Sequence, residues 1–321
     1  MAVESANKLI FFCPYARFCP KSMCVKAFGP LGFSNFARLM TYPMLLLPNC
    51  KINIGLNVVS RRPDGYHDLE TLFYPVPLRD NLEIKAMDEA DADGKDYRMT
   101  LGGYPVEGCT DDNLVVRVFR SLQQEFHLPP LDIYLHKLIP MGAGLGGGSS
   151  DAAFMMKGLN ELFDLGLSDD DMERRMASFG ADCAFFIRDK AAYATGIGDR
   201  LTPHPLSLKG KYIVLVKPDI FVSTREAYAG IRPQKPAVQL LDALELPIAE
   251  WRDKVVNDFE LSVFPHHPEL PAVKQTLYDM GALYASMSGS GSTLYGLFDR
   301  PVPEAAKVFE KHFVYQKQFA L

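Results

Sequence analysis

Five glycines fall within seven residues of the string Pro140-Met141-Gly142-Ala143-Gly144-Leu145-Gly146-Gly147-Gly148-Ser149-Ser150-Asp151, which restricts the local fold severely. Glycine reaches positive φ and lets the main chain approach a neighbour with no Cβ in the way. Directly afterwards Ala152, Met155, Met156, Leu159, Leu162 and Phe163 recur at helical spacing, so the string reads as a loop feeding a helix. A helix start presents unpaired N–H groups and the positive end of its dipole. A glycine-rich loop ending at such a start is a cradle for phosphate. The alternative, a flexible linker or tight turn, is rarely flanked by a periodic strand and a well-formed helix.

Three known phosphate loops do not fit. A Walker loop places Lys directly before Ser or Thr, whereas Gly148 precedes Ser149 here. Gly142-x-Gly144-x-x-Gly147 matches the dinucleotide fingerprint in form. That fingerprint needs a strand entering the first glycine and an acid about 20 residues on, ending the next strand. Pro140 interrupts the lead-in, and Asp169, Asp170 and Asp171 open a helix instead. The strand lysine, His-Arg-Asp and Asp-Phe-Gly strings of protein kinases are missing.

What remains, Pro-x-Gly-x-Gly-Leu-Gly-Gly-Gly-Ser-Ser-Asp-Ala-Ala, resembles the ATP loop of the GHMP kinases, named for galacto-, homoserine, mevalonate and phosphomevalonate kinases. Pro48-Asn-Cys-Lys51-Ile-Asn53-Ile-Gly-Leu resembles the first motif of that superfamily, and Met287-Ser-Gly-Ser-Gly-Ser-Thr293 its third. Arg62-Pro-Asp-Gly-Tyr66-His67 is the most discriminating string and is similar to that of the 4-diphosphocytidyl-2-C-methyl-D-erythritol kinase family of the non-mevalonate isoprenoid pathway. Gly180-Ala-Asp182 and Asn257-Asp-Phe-Glu260 fit the same family, and the resemblance runs from about residue 44 to the end. Cys50 replaces the alanine usual before the motif lysine, one small residue for another.

Periodicity supplies the framework. Leu45–Val59 alternates, with Cys50, Ile52, Ile54, Leu56 and Val58 on one face and Lys51, Asn53, Gly55 and Asn57 on the other, as in a half-buried strand. Strands follow at Leu69–Val76, Asn81–Ala86, Tyr97–Leu101 and Leu131–Leu138. Asn113 can cap a helix, and Ser168 with Asp171 forms a capping box for a helix that stops at Gly180. Beyond a soft boundary in Pro203–Gly210 come strands at Tyr212–Lys217, Leu283–Met287 and Thr293–Phe298. Helices are expected at Pro236–Leu244, Pro268–Met280 and Glu304–Phe313, with a short one capped by Ser223 or Thr224. This order predicts an α+β protein. The resemblance implies a two-domain GHMP kinase fold: an N-terminal domain like the second domain of ribosomal protein S5 over 44–206, and a ferredoxin-like C-terminal domain over 207–321. The active site would lie in the cleft between them.

With 48% hydrophobic and 23% charged residues the chain has the make-up of a globular protein with a real core. A formal net charge of −5 argues against a general nucleic-acid or membrane-surface role. The six cysteines are irregularly spaced, and Cys50, Cys109 and Cys183 read as reduced, buried residues of a cytoplasmic enzyme. Residues 1–43 stand apart, with five basic residues against the single acid Glu4. A transit leader is one reading; we expect an over-extended start ahead of Met40 or Met44, outside the fold. The apolar run Leu9–Cys13 is too short for a membrane span.

Phosphoryl transfer to an alcohol needs a phosphate cradle, a divalent ion, an oriented hydroxyl and a proton acceptor. The resemblance implies ATP and Mg²⁺, with Pro140 to Ser150 binding the nucleotide; Ser149 and Ser150 offer hydroxyls to the metal or simply cap the helix, and the metal ligands stay open. Asp182, followed by five apolar residues and so expected to be buried, where a carboxylate without a task is costly, is the expected base; capping the next helix is its alternative role. Lys51 is its implied partner, stabilising charge on the transferring phosphoryl, although a strand lysine can also be merely solvated. Asn53 would bond substrate or orient Lys51. In the resembled family Tyr66 and His67 hold a cytosine ring; Tyr228 would form the opposite wall and Thr224 would contact substrate, while anchoring a loop is the bland role for the first two. Gly289, Ser290 and Gly291 would close over substrate phosphates, while Asp258 reads as structural. The implied partner is a small molecule bearing a cytidine diphosphate group, phosphorylated on its 2-hydroxyl. A sister kinase or a catalytically silent nucleotide sensor are the rivals. Oligomeric state is not legible.

Overall fold

The computed structural model describes residues 42–320, so the reading of the leader falls outside the described residues except at Tyr42 and Pro43. Three four-stranded sheets organise the described residues. The first runs β1 (Met44–Leu46), β4 (Asn81–Ala86), β6 (Leu131–Lys137), β5 (Tyr97–Gly103), and only its β5–β6 pair is parallel. The second runs β2 (Asn49–Arg61), β3 (His67–Arg79), β7 (Ala192–Thr195), β8 (Arg200–Pro203). The third runs β10 (Tyr284–Met287), β11 (Leu294–Phe298), β9 (Tyr212–Lys217), β12 (Phe313–Gln318), antiparallel throughout. Read from the other edge, with helices between β9 and β10 and between β11 and β12, that order is ferredoxin-like.

The first two sheets pack on α1 (Leu114–Phe126) and α2 (Gly147–Leu162), the helix that follows the glycine string. Val118, Phe119 and Leu122 of α1 meet Ala152, Met155 and Leu159 of α2 in one buried cluster with Ile84 and Ile133. Asn113 caps α1 by accepting from Val115 N at 2.9 Å, as its sequence position predicts. Ser168 and Asp171 form the expected capping box of α3 (Asp169–Met176), which ends at Met176 rather than Gly180. A second cluster joins Ile52, Ile54 and Leu72 to Leu215, Tyr284 and Tyr295, so strand β2 is a core element of both halves of the chain.

That sharing corrects one expectation. From Asn49 to Val58 strand β2 is buried at every residue, not on alternate ones, because its polar face is roofed by the two glycine loops and β3. Pro48 separates β1 from β2, which sit in different sheets. Near the C-terminus the expected helix Glu304–Phe313 shrinks to Ala305–Val308, and Phe313–Gln318 is instead the edge strand β12, bonded to β9 along its whole length. The helix expected from Pro236 begins only at Leu240, after a prolyl segment without helical structure. Cys50 and Cys183 are buried, but Cys109 is exposed, since it belongs to the loop before α1 and not to the core.

Candidate active site

The glycine string is built as alternating pegs and gaps. Ala143 and Leu145 are buried in the cluster shared by both halves, which anchors the loop. Between them Gly142, Gly144 and Gly146 adopt φ of +57°, +73° and +70° and line a cleft of about 430 Å³. Gly146 is the N-cap of α2 and Gly147 its first residue, so Ser149 and Ser150 lie inside the first turn and do not cap it, contrary to one reading of the sequence. Among the described residues Ser150 Oγ is buried with no hydrogen-bond partner. Pro140 and Met141 lead in, and Met141 is exposed.

The second glycine loop locks onto the first. Ser288 Oγ donates to Gly144 O at 2.9 Å and accepts from Asn53 N at 3.3 Å, while Thr293 N donates to Ala143 O at 3.3 Å. Gly289, Ser290 and Gly291 line the same cleft. Asn257 holds this loop from behind, its amide donating to Met287 O at 2.7 Å and Gly289 O at 2.9 Å. Sequence reasoning gave Asn257 no role of its own; its place beside Asp258 in a recognisable string was the only signal. Asp258 accepts from Val58 N at 2.7 Å and so braces strand β2.

Lys51 enters the cleft floor from β2, only 3% exposed. Its Nζ lies 3.2 Å from Asp182 Oδ2, donates to Asn53 Oδ1 at 2.6 Å and sits 4.8 Å from the Phe73 ring centre. Its backbone N–H donates to Leu145 O at 3.0 Å, which ties the strand to the glycine loop. Asp182 is not buried, as its apolar neighbours predict; its side chain is 32% exposed. The segment Gly180–Ala181 keeps it at the cleft wall, and only the residues after it, Cys183 to Ile187, enter the core. Nor does it cap α4 (Phe185–Arg188), whose N-cap is Ala184 with no side-chain bond. Its carboxylate therefore faces Lys51 and open space.

At the far end of the cleft α5 (Thr224–Ala229) is capped by Ser223, which accepts from Glu226 N at 3.1 Å. Thr224 and Tyr228 both line the cleft. Tyr228 stacks on His67 with ring centres 4.8 Å apart and meets Phe259 edge-on. Burial raises the pKa of the Tyr228 phenol, and the nearby Asp182 charge adds to the effect. Tyr66, 61% exposed, follows the turn closed by the Arg62 N to Tyr66 O bond, and neither it nor His67 lines the cavity wall.

Two features were absent from the sequence reading. A second cavity of about 220 Å³ opens on the other side of the α2 start, beside Gly148, with Leu101, Val106, Leu114 and Met141 as apolar walls and Asn113 and Lys137 as polar ones. Below it lies a buried triad. Lys137 Nζ contacts Asp151 at 2.6 Å and also Asp80, whose other oxygen accepts from Ile139 N at 2.8 Å. Burial opposes the Lys137 charge, but the two carboxylates outweigh it and raise its pKa. Burial and Asp80, against the attraction of Lys137, push Asp151 up to about 7. Among the described residues no group of three or more His, Cys, Asp or Glu could hold a metal, and no helix is long and apolar enough to cross a membrane.

Comparison with known proteins sets this geometry among relatives. Residues 113–190 match the GHMP kinases N terminal domain and residues 240–314 the GHMP kinases C terminal model. The chain is 54% identical over 256 residues to a 4-diphosphocytidyl-2-C-methyl-D-erythritol kinase of Bacteroides thetaiotaomicron, covering 80% of this chain and 92% of that protein. Against the kinase of the same name from Parabacteroides distasonis it is 48% identical over 278 residues, 86% of this chain and all of that protein, 100%. A crystal structure of 4-(cytidine 5'-diphospho)-2C-methyl-D-erythritol kinase superposes with a TM-score of 0.70 at 31% identity, covering 85% of this chain and 98% of that one. Methanococcus jannaschii mevalonate kinase shares the fold, with a TM-score of 0.62 at 12% identity over 86% of this chain and 98% of that one.

Proposed function

The chain belongs to the 4-diphosphocytidyl-2-C-methyl-D-erythritol kinases, within the GHMP kinases, and on that footing we propose that it transfers the γ-phosphoryl group of ATP to the 2-hydroxyl of 4-diphosphocytidyl-2-C-methyl-D-erythritol. The observation that carries the mechanism is the Lys51–Asp182 pair, 3.2 Å apart in a cleft bounded by both glycine loops. Asp182 accepts the hydroxyl proton as the phosphoryl group transfers. Lys51, buried in the cleft floor and fixed by Asn53, stabilises charge on the transferring group. The N–H groups of the loop from Pro140 to Ser150 and the α2 dipole bind the phosphates. Its neighbouring cavity seats the base of ATP against Leu101, Leu114 and Asn113.

Magnesium keeps most of its waters and takes one or two protein oxygens plus phosphates, and the partly exposed Asp182 carboxylate, which lines the cleft, is an oxygen of that kind. Such an ion would neutralise phosphate charge. The cytidine end lies toward Tyr228, Thr224 and His67, whose ring stack offers an aromatic face, with exposed Tyr66 beside it; stacking of a base on an aromatic ring is worth roughly 1–3 kcal/mol. Gly289, Ser290 and Gly291 bind the diphosphate. With this goes a division into an ATP-binding part, 44–206, and a substrate-side part, 207–321, and a cytoplasmic site of action. The test is ADP release with the cytidine substrate, mevalonate and homoserine in parallel. Turnover only with the first is expected. Preference for either other alcohol would overturn the substrate, and no turnover with any would favour a nucleotide sensor.

A further inference from the structure

The hydrogen bonds behind Lys51 run in one direction only. Gly55 O accepts from the Thr71 hydroxyl at 2.6 Å. A hydroxyl has one hydrogen, so Thr71 can offer Asn53 only an acceptor, and the 3.0 Å contact between them is donated by Asn53 Nδ2. With its nitrogen held there, Asn53 turns Oδ1 to Lys51 and accepts from Nζ at 2.6 Å. A reversed amide would set donor against the ammonium and acceptor against an oxygen with no proton to give, losing both bonds. The Gly55 carbonyl reaches Thr71 because the β2–β3 register shifts between Ile54 and Leu56, with Gly55 at φ +67°. No side chain can replace that glycine quietly, since a Cβ there would stand 2.5 Å from Leu240 Cδ1. Thr71 is fully buried and Asn53 is 3% exposed, so no solvent competes for these partners.

We infer that Thr71 is a positioning residue for phosphoryl transfer: by accepting from Asn53 it fixes the amide whose oxygen holds the Lys51 ammonium against Asp182. The inference rests on the roles given above to Lys51 and Asn53. Thr71→Val keeps the shape and removes the hydroxyl, freeing the amide to rotate. The expected result is a kcat lowered roughly tenfold, as for one lost buried hydrogen bond acting in the transition state, with KM for ATP within about twofold of wild type. Thr71→Ser should restore most of the loss. In an Asn53→Ala background, measured under single-turnover conditions, Thr71→Val should add nothing, because its effect passes through the amide. Should Thr71→Val not fold, Thr71→Ala carries the same comparison. An equal kcat loss in both backgrounds, or a loss that Thr71→Ser does not rescue, would show a merely structural threonine and overturn the inference. Full turnover in Lys51→Ala and Asn53→Ala would sink the mechanism itself, whereas slow Asn53→Ala beside unimpaired Thr71→Val would sink this step alone.

Discussion

Replacing Gly144 by alanine tests whether the two glycine loops work as one clamp. At φ +73° an alanine side chain meets left-handed strain of roughly 1–2 kcal/mol. The larger effect is contact: the new Cβ would lie 2.0 Å from Ser288 O and 3.1 Å from Gly291 O, both main-chain atoms that cannot swing aside. Non-bonded atoms settle near 3.5 Å, so the loops must part by more than about 1 Å. Parting them breaks the Ser288 bond to Gly144 O and slackens the Asn53 bond to Ser288, each worth about 1 kcal/mol. The total is a destabilisation of roughly 3–4 kcal/mol, and a displacement of about 1 Å at the reacting groups can cost about a hundredfold in rate. Gly166→Ala is the control, because Gly166 has φ +69° with open space where its Cβ would go. It should lose only the strain energy and keep full turnover. Melting temperature and kcat for both variants settle the matter; if Gly144→Ala behaves like Gly166→Ala, the clamp is not a clamp.

Asp182→Asn should fold normally, since the carboxylate caps no helix and is partly exposed, yet lose kcat by roughly 10²–10⁴ as general-base catalysts do; steady-state ADP release near the wild-type rate would exclude Asp182 as the base. Asp151 gives a pH signature. Its folded pKa is raised to about 7 from 3.8, so between those values the folded chain keeps a proton that the unfolded chain has released, and the stability this supplies is lost as pH rises through the folded pKa. Asp151→Asn removes that titration, so its melting temperature should gain on wild type as pH rises from 3.8 to about 7 and level off above it; a difference that stays flat across that range refutes the raised pKa of Asp151.

The parts legible in the sequence were those in which local backbone geometry dictates residue type. Positive φ at Gly142, Gly144 and Gly146 leaves glycine as the fitting residue, and the capping box at Ser168 needs a hydroxyl and an acid three residues apart. Such demands show up within a few positions of one another. Strand β12 shows the opposite case. Phe313–Gln318 begins apolar and ends in Gln-Lys-Gln, a pattern compatible with a helix end, and it becomes a strand because β9 offers a free edge from far back in the chain.

Within the site the same distinction separates residue from role. Lys51 was recognisable by its motif, but its alternation with apolar neighbours described a half-exposed face, and what buries it comes from Leu145 on the glycine loop, Phe73 on β3 and Asp182 before α4. Asp182 was misread in the other sense, because apolar neighbours in sequence enter the core while it alone stays at the cleft wall. Apart from the place of Asp151 in the glycine string, nothing in the sequence pointed to the Asp80–Lys137–Asp151 triad: its members lie at a strand junction, a strand end and a helix start, each an ordinary place for a charged residue. Only their convergence makes them unusual, and convergence is a property of tertiary contacts. The chemistry of this cleft is therefore written locally in the loops that receive phosphate, and non-locally in the charges that act on it, which is why removing one such charge should alter turnover while leaving the loops in place.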